Sequence, residues 1–182
     1  MRLLYNSYCV ITVMLFLFVG SNSLCSQNNN HNIPLTIPEI AILDIEPNTS
    51  AIVVDFTAPT EAGDPITGDA VVSDKWINYT SCIASGGTVR SINVSIDQMI
   101  SGVDIKLQAA TAVGGGGVLG TPEGEVVLTT TPILLISNIG GAYTGDGGSS
   151  GHQLTYSLEV NDYALINETV NETIVVTYTI SN

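Results

Sequence analysis

The stretch Val89-Arg-Ser-Ile-Asn-Val-Ser-Ile96 decides the fold class of this chain, because apolar and polar residues alternate along it. Ile92, Val94 and Ile96 fall on one side of an extended backbone, and the polar residues between them fall on the other. A period of two residues is the pattern of a β-strand with one buried face. No stretch of the sequence carries a convincing helical period. The same alternation occurs in three other segments, residues 103–109, 154–160 and 174–180.

Three further segments, residues 50–56, 75–83 and 125–136, are continuous apolar or β-branched runs. Such runs indicate strands that are buried on both faces or that contain bulges, and Pro132 predicts a broken or edge strand in the last of them. Turns rich in Gly, Pro and Asp separate the segments. Together they predict an all-β protein, a single antiparallel β-sandwich (Ig-like or jelly-roll-like) of roughly seven to nine strands in residues 33–182. An open barrel is the remaining variant.

The N-terminus has the pattern of a secretory signal peptide. Arg2 precedes an apolar core, Cys9–Val19, and small residues follow that core. The core is shorter than the roughly 20 residues that a membrane-spanning helix needs. We therefore expect residues 1–26 to be a signal peptide that is cleaved within residues 24–28, followed by a polar leader, residues 27–32. The mature chain is expected to be secreted or held at the cell surface, with no transmembrane segment after removal of the signal.

The charge balance restricts the partners of the chain. The formal net charge is −13, with 17 acidic residues. After removal of the signal peptide, the fixed cations are Lys75, Arg90 and Lys106, and three scattered cations cannot form the basic patch that nucleic-acid binding requires. Nucleic acid is therefore excluded as a partner. A strongly acidic surface could instead attract divalent cations or basic partners.

Metal binding is considered only for calcium, because two His and few Cys cannot supply a closed zinc site. Asp64, Asp69 and Asp74 cluster around one predicted loop, and Ca²⁺ prefers carboxylate oxygens. The alternative is that these residues are solvated acidic turns. No other cofactor is predicted.

Catalysis is not predicted. The segment Gly147–Gly151 matches the pattern G-x-S-x-G around Ser149, with His152 directly after it. A nucleophile elbow needs a strand before it and a helix after it, whereas this segment is a Gly/Ser-rich turn that enters a strand. Glu123 and Glu125 are near neighbours on one turn, so they cannot face each other across a cleft as glycoside hydrolysis requires.

Two aromatic residues are candidates for ligand binding. Trp76 lies in Lys75-Trp-Ile-Asn-Tyr79 and suits either the core of a sandwich or a sugar-stacking platform. Tyr143 lies within the Gly-rich stretch 140–151. These residues support the alternative function of the chain, an extracellular carbohydrate- or protein-binding module.

The C-terminal region resembles the closing strands of bacterial fimbrial-type domains, including the spore coat protein U and chaperone–usher pilin group. Asp162-Tyr-Ala-Leu-Ile166 gives the turn, and Glu172-Thr-Ile-Val-Val-Thr-Tyr-Thr-Ile180 gives the final Thr/Val alternation. The resemblance covers these two segments. It implies an Ig-like fold and assembly by strand exchange, with residues 33–45 as the donor strand and Ile174–Ile180 flanking the acceptor groove.

The segment Ile33–Ile45 is itself predicted to be the first strand, bent at Pro38. The principal functional hypothesis is a secreted, non-enzymatic structural or surface-assembly protein, similar to a fimbrial protein or an adhesin, that joins copies of itself or another surface protein. The predicted assembly residues are Ile33, Leu35, Ile37, Ile40 and Ile42.

Overall fold

The structure is a computed structural model that describes residues 27–170 and 172–182, without the side chain of Val72. The predicted signal peptide therefore lies outside the described residues. The chain divides into two units, the first ending at Thr36 and the second spanning Ile37–Asn182. The expected bounds of the domain, residues 33–182, stay a prediction.

The prediction of an all-β protein is confirmed. The regular structure in the part of the chain that is described consists of eleven strands and a single 3-10 turn at Tyr163–Leu165. Nine strands form one antiparallel network, and β2 and β3 form a separate two-stranded hairpin. The strands are β1 (Ile40–Glu46), β2 (Phe56–Thr57), β3 (Thr67–Gly68), β4 (Ala70–Cys82), β5 (Arg90–Ile96), β6 (Val103–Ala109), β7 (Gly116–Pro122), β8 (Glu125–Val127), β9 (Ile133–Tyr143), β10 (His152–Val160) and β11 (Val176–Ser181).

The nine-stranded network has the arrangement of a sandwich. One layer has the order β1-β4-β10-β6-β8, and the other has the order β11-β5-β9-β7. The layers join at a corner, where Thr80 and Ser81 of β4 pair with Tyr143 and Ala142 of β9. Strands that change layer at a corner are a common way to close a sandwich.

The core lies between the two layers and follows the alternation in the sequence. In β5, Ile92, Val94 and Ile96 are buried, and the residues between them are half-buried. Leu154 and Tyr156 of β10 face the same core from the other layer. The hydroxyl groups of Tyr156 and Tyr178 share a hydrogen bond between β10 and β11. Burial, which disfavours the charged phenolate, raises the pKa of both tyrosines.

The first strand is shorter than the sequence predicted. β1 begins at Ile40, and residues 33–39 have no regular structure. Pro34 and Pro38 explain the difference, because proline has no N–H to donate to a sheet ladder. The predicted strand over residues 50–56 is also wrong, since only Phe56 belongs to a strand. The run 125–136 is interrupted before Ile133, as Pro132 predicted.

Candidate assembly surface

The segment Ile33–Ile37, which we call the donor segment, presents its apolar side chains to solvent. Ile33, Leu35 and Ile37 are 78%, 81% and 72% exposed. Within the described residues no strand pairs with this segment. Residues 27–38 contain no Asp or Glu, although the chain carries 17 acids. A neutral, apolar, unpaired segment is thus attached to a strongly acidic domain.

Most of the half-buried hydrophobic residues that pack against the core lie in or near the first and last strands. Eight of the eleven half-buried hydrophobic residues that pack against the core, among the residues described, belong to β1, to the segment after β1, or to residues 174–180. We call this set the apolar seam. It consists of Leu43, Ile45, Ile52, Val54, Ile174, Val176, Tyr178 and Ile180.

One side of the seam is the open edge of β11. β11 pairs with β5 alone among the strands described. The N–H of Asp97 donates to the carbonyl of Val175 at 3.1 Å, and hydrogen-bonded positions alternate along an antiparallel ladder. The backbone groups of Val176, Tyr178 and Ile180 therefore point away from β5. They form a row of N–H and C=O groups that a further strand could pair with.

The other exposed edges are protected in the ways that usually prevent strand addition. β1 carries Asp44 and Glu46, and β8 has three residues. β7 contains Gly117 and Gly120 at positive φ and ends at Pro122. β11 has six residues, of sequence VTYTIS, without charge, Gly or Pro.

A buried arginine holds β1 and β11 together at one end of the seam. Arg90 is 6% exposed, and its Nη2 donates to Oε1 of Glu39 at 2.6 Å. Its Nη1 donates to Oδ1 of Asn182. Glu39 precedes β1 and Asn182 follows β11, so one guanidinium connects the start of one strand to the end of the other. The sequence does not predict this ion pair, although Arg90 is in phase with Ile92 and Val94, which indicates an inward side chain.

The two predicted ligand-binding aromatics lie at the surface rather than in the core. Trp76 is half-buried on the outer side of β4, opposite Glu46 of β1 and Gln153 of β10. Tyr143 is 57% exposed at the end of β9. Its ring covers Gly116, where an added Cβ would lie 3.2 Å from a ring carbon. Trp76 therefore does not occupy the core position that the sequence allowed.

The three aspartates considered for calcium have different surroundings. Asp64 lies in the loop after β2, and its N–H donates to the carbonyl of Glu61. Asp69 accepts a hydrogen bond from the hydroxyl of Thr57, and Asp74 lies 3.5 Å from Nζ of Lys75. In the ranges 27–170 and 172–182, no three His, Cys, Asp or Glu side chains form a group that could hold a metal ion.

Ser149 of the G-x-S-x-G match and the following His152 lie in different environments. Ser149 lies in the Gly-rich loop with φ of +86°, whereas His152 is completely buried in β10. Nδ1 of His152 lies 2.8 Å from the carbonyl of Ala110, and Nε2 lies 3.1 Å from the hydroxyl of Tyr79. Burial lowers the pKa of His152, so the ring is neutral in the folded chain at neutral pH. The histidine thus links β10 to β4 inside the sandwich.

No protein-family model, curated protein or solved structure matches the chain. In the described part of the chain there is no helix with the length and apolar character needed to cross a membrane.

Proposed function

We propose that the chain is a secreted, non-enzymatic structural or surface-assembly protein whose copies join by strand donation. The donor segment of one copy adds to the apolar seam of the next. The signal-like N-terminus supports export of the chain, and the resemblance of the C-terminal segments to fimbrial-type domains supports the mode of assembly.

The observation that carries this proposal is the exposure of Ile33, Leu35 and Ile37. Burying a side chain of this size contributes about 1.5–3 kcal/mol. Three of them could stabilise an interface by several kcal/mol before the cost of ordering the segment is subtracted. The acidic domains repel one another at low salt, and a neutral donor segment lets two copies make contact without adding like charges.

The test is the solution mass of the chain secreted from its full-length precursor, measured by light scattering over a wide concentration range. The test variant is Ile33→Asp/Leu35→Asp/Ile37→Asp. The matched control is Met99→Asp/Val118→Asp/Val170→Asp, because these residues are also more than half exposed and the change in charge is the same.

Strand donation predicts oligomers of the wild type and of the control, and monomers of the donor variant. Monomers of the wild type at every concentration would contradict the proposal, and so would a donor variant that assembles like the control.

A second candidate function, an extracellular carbohydrate-binding module, is favoured by Tyr143. Its ring is exposed and lies close to Gly116, and an exposed aromatic ring can stack against the apolar face of a sugar. Binding to a glycan array that Tyr143→Ala removes would support this function. An array without any response would count against it.

A further inference from the structure

The two edges of the donor segment are not equivalent. In an extended strand, the N–H and C=O of one residue point to one edge, and those of the next residue point to the other. The backbone groups of Ile33, Leu35 and Ile37 therefore share one edge. Pro34 and Pro38 both lie on the opposite edge, where they leave Thr36 as the single N–H donor.

The open edge of β11 matches the complete edge of the donor segment. It offers the N–H and C=O groups of Val176, Tyr178 and Ile180, since Val175 is bonded to β5. In an antiparallel ladder, opposite residues whose backbone groups point toward each other exchange both hydrogen bonds, and their side chains lie on the same face of the sheet. Three donor residues can therefore pair with three acceptor residues.

The same pairing places the apolar side chains of the donor on the core side. Val176, Tyr178 and Ile180 belong to the half-buried seam, so the residues opposite them would also face the seam. In a parallel ladder, a residue that forms hydrogen bonds to the neighbouring strand lies opposite a residue of that strand whose N–H and C=O groups point to the other edge. The donor would then lie opposite Thr177 and Thr179, and its apolar side chains would face solvent with those exposed threonines.

We infer that the donor segment of a second copy pairs antiparallel to β11 through the edge of Ile33, Leu35 and Ile37 only, and that Pro34 and Pro38 close its other edge. This inference rests on the proposed function. Proline on an exposed edge is a common device against further strand addition. Each seam would accept one strand, and copies would join one after another instead of spreading sideways into a wider sheet.

The experiment compares proline with alanine at two neighbouring donor positions. The variants are Leu35→Pro and Leu35→Ala on the edge that pairs, and Thr36→Pro and Thr36→Ala on the edge that does not. The association constant of each full-length, secreted variant is obtained from the concentration dependence of its mass by light scattering. Circular dichroism checks that each domain remains folded.

One-sided pairing predicts that proline weakens association about tenfold relative to alanine at position 35, the effect of one lost hydrogen bond. At position 36, proline and alanine variants should associate within about twofold of each other. Equal losses at the two positions, or a larger loss at position 36, would overturn the inference.

The failure of strand donation itself is distinguishable. If the wild type does not assemble, or if the triple aspartate variant of the donor segment assembles normally, the proposed function fails and the inference fails with it. If the aspartate variant is monomeric and the two proline effects are equal, strand donation stands and one-sided pairing is wrong.

Discussion

Acidification should destabilise the domain through His152, which is completely buried. A carbonyl oxygen only accepts hydrogen bonds, so Nδ1 carries the proton and donates to the carbonyl of Ala110. Nε2 carries no proton and lies 3.1 Å from the hydroxyl of Tyr79, which donates its own proton to the carbonyl of Leu119. Burial lowers the pKa of His152 below its ordinary value of 6.5, against the opposing effect of the carbonyls of Ala110 and Leu119. The imidazolium is therefore disfavoured in the folded state.

The sign and size of the effect follow from proton linkage. Because the pKa is lower in the folded state, the unfolded chain binds more protons once the pH falls below about 6.5. The contribution of His152 to stability is complete above that pH and is lost as the pH falls through it. The unfolded pKa of about 6.5 limits the loss between pH 7.5 and pH 5.5 to at most about 1.4 kcal/mol.

The assay is urea denaturation of the wild type, His152→Gln and His31→Gln at these two pH values. His31 lies in the exposed leader and serves as the matched control. The wild type and His31→Gln should each lose more stability than His152→Gln, by up to about 1.4 kcal/mol, because the acidic residues are the same in all three proteins. The reasoning is refuted if His152→Gln loses as much stability on acidification as the wild type.

Two substitutions test the contacts that hold the strands in place. Glu39→Gln removes the acid that pairs with buried Arg90. It should lower the free energy of unfolding by about 1–2 kcal/mol. This is less than the cost of breaking a fully buried pair, because Glu39 is half exposed. The control Glu46→Gln should change the free energy of unfolding by less than about 0.5 kcal/mol. Equal effects in chemical denaturation would contradict the role of Arg90. Gly151→Ala should cost about 3 kcal/mol and Gly147→Ala about 1 kcal/mol. Both glycines have positive φ, but an added Cβ at Gly151 would lie 2.2 Å from the carbonyl of Ile77, and at Gly147 it would meet nothing. Similar losses in thermal unfolding would show that steric contact is not the cause.

Much of the fold could be predicted from the sequence, because the buried strands alternate with a period of two. β5 and β6 lie within alternating segments, and β10 extends its segment by two residues at the start. The interruption before Ile133 follows from Pro132. The prediction of strands was wrong where an apolar run in the sequence does not indicate whether a neighbouring strand is available to pair with it. Residues 50–55 are rich in β-branched residues, yet they form no strand, because strand formation depends on the neighbours that tertiary structure supplies.

The candidate surface was predictable only in part. Exposure of Ile33, Leu35 and Ile37 agrees with their prediction as assembly residues, which stays a prediction until association is measured. Ile40 and Ile42 belong to β1, which pairs with β4 along one edge, and their role in assembly also stays a prediction. The ion pair between Arg90 and Glu39 joins residues that are far apart in the chain, and no sequence period indicates such a contact.

Amide hydrogen exchange along β11 tests strand donation most directly. After exchange at low and at high protein concentration, the samples are quenched, dissociated and analysed by NMR. Strand donation predicts that the amides of Val176, Tyr178 and Ile180 are protected only at high concentration. The amides of Thr177 and Thr179 face β5 and should be protected at both concentrations. If the first three amides exchange equally at the two concentrations, in samples whose mass shows assembly, the copies do not join through β11.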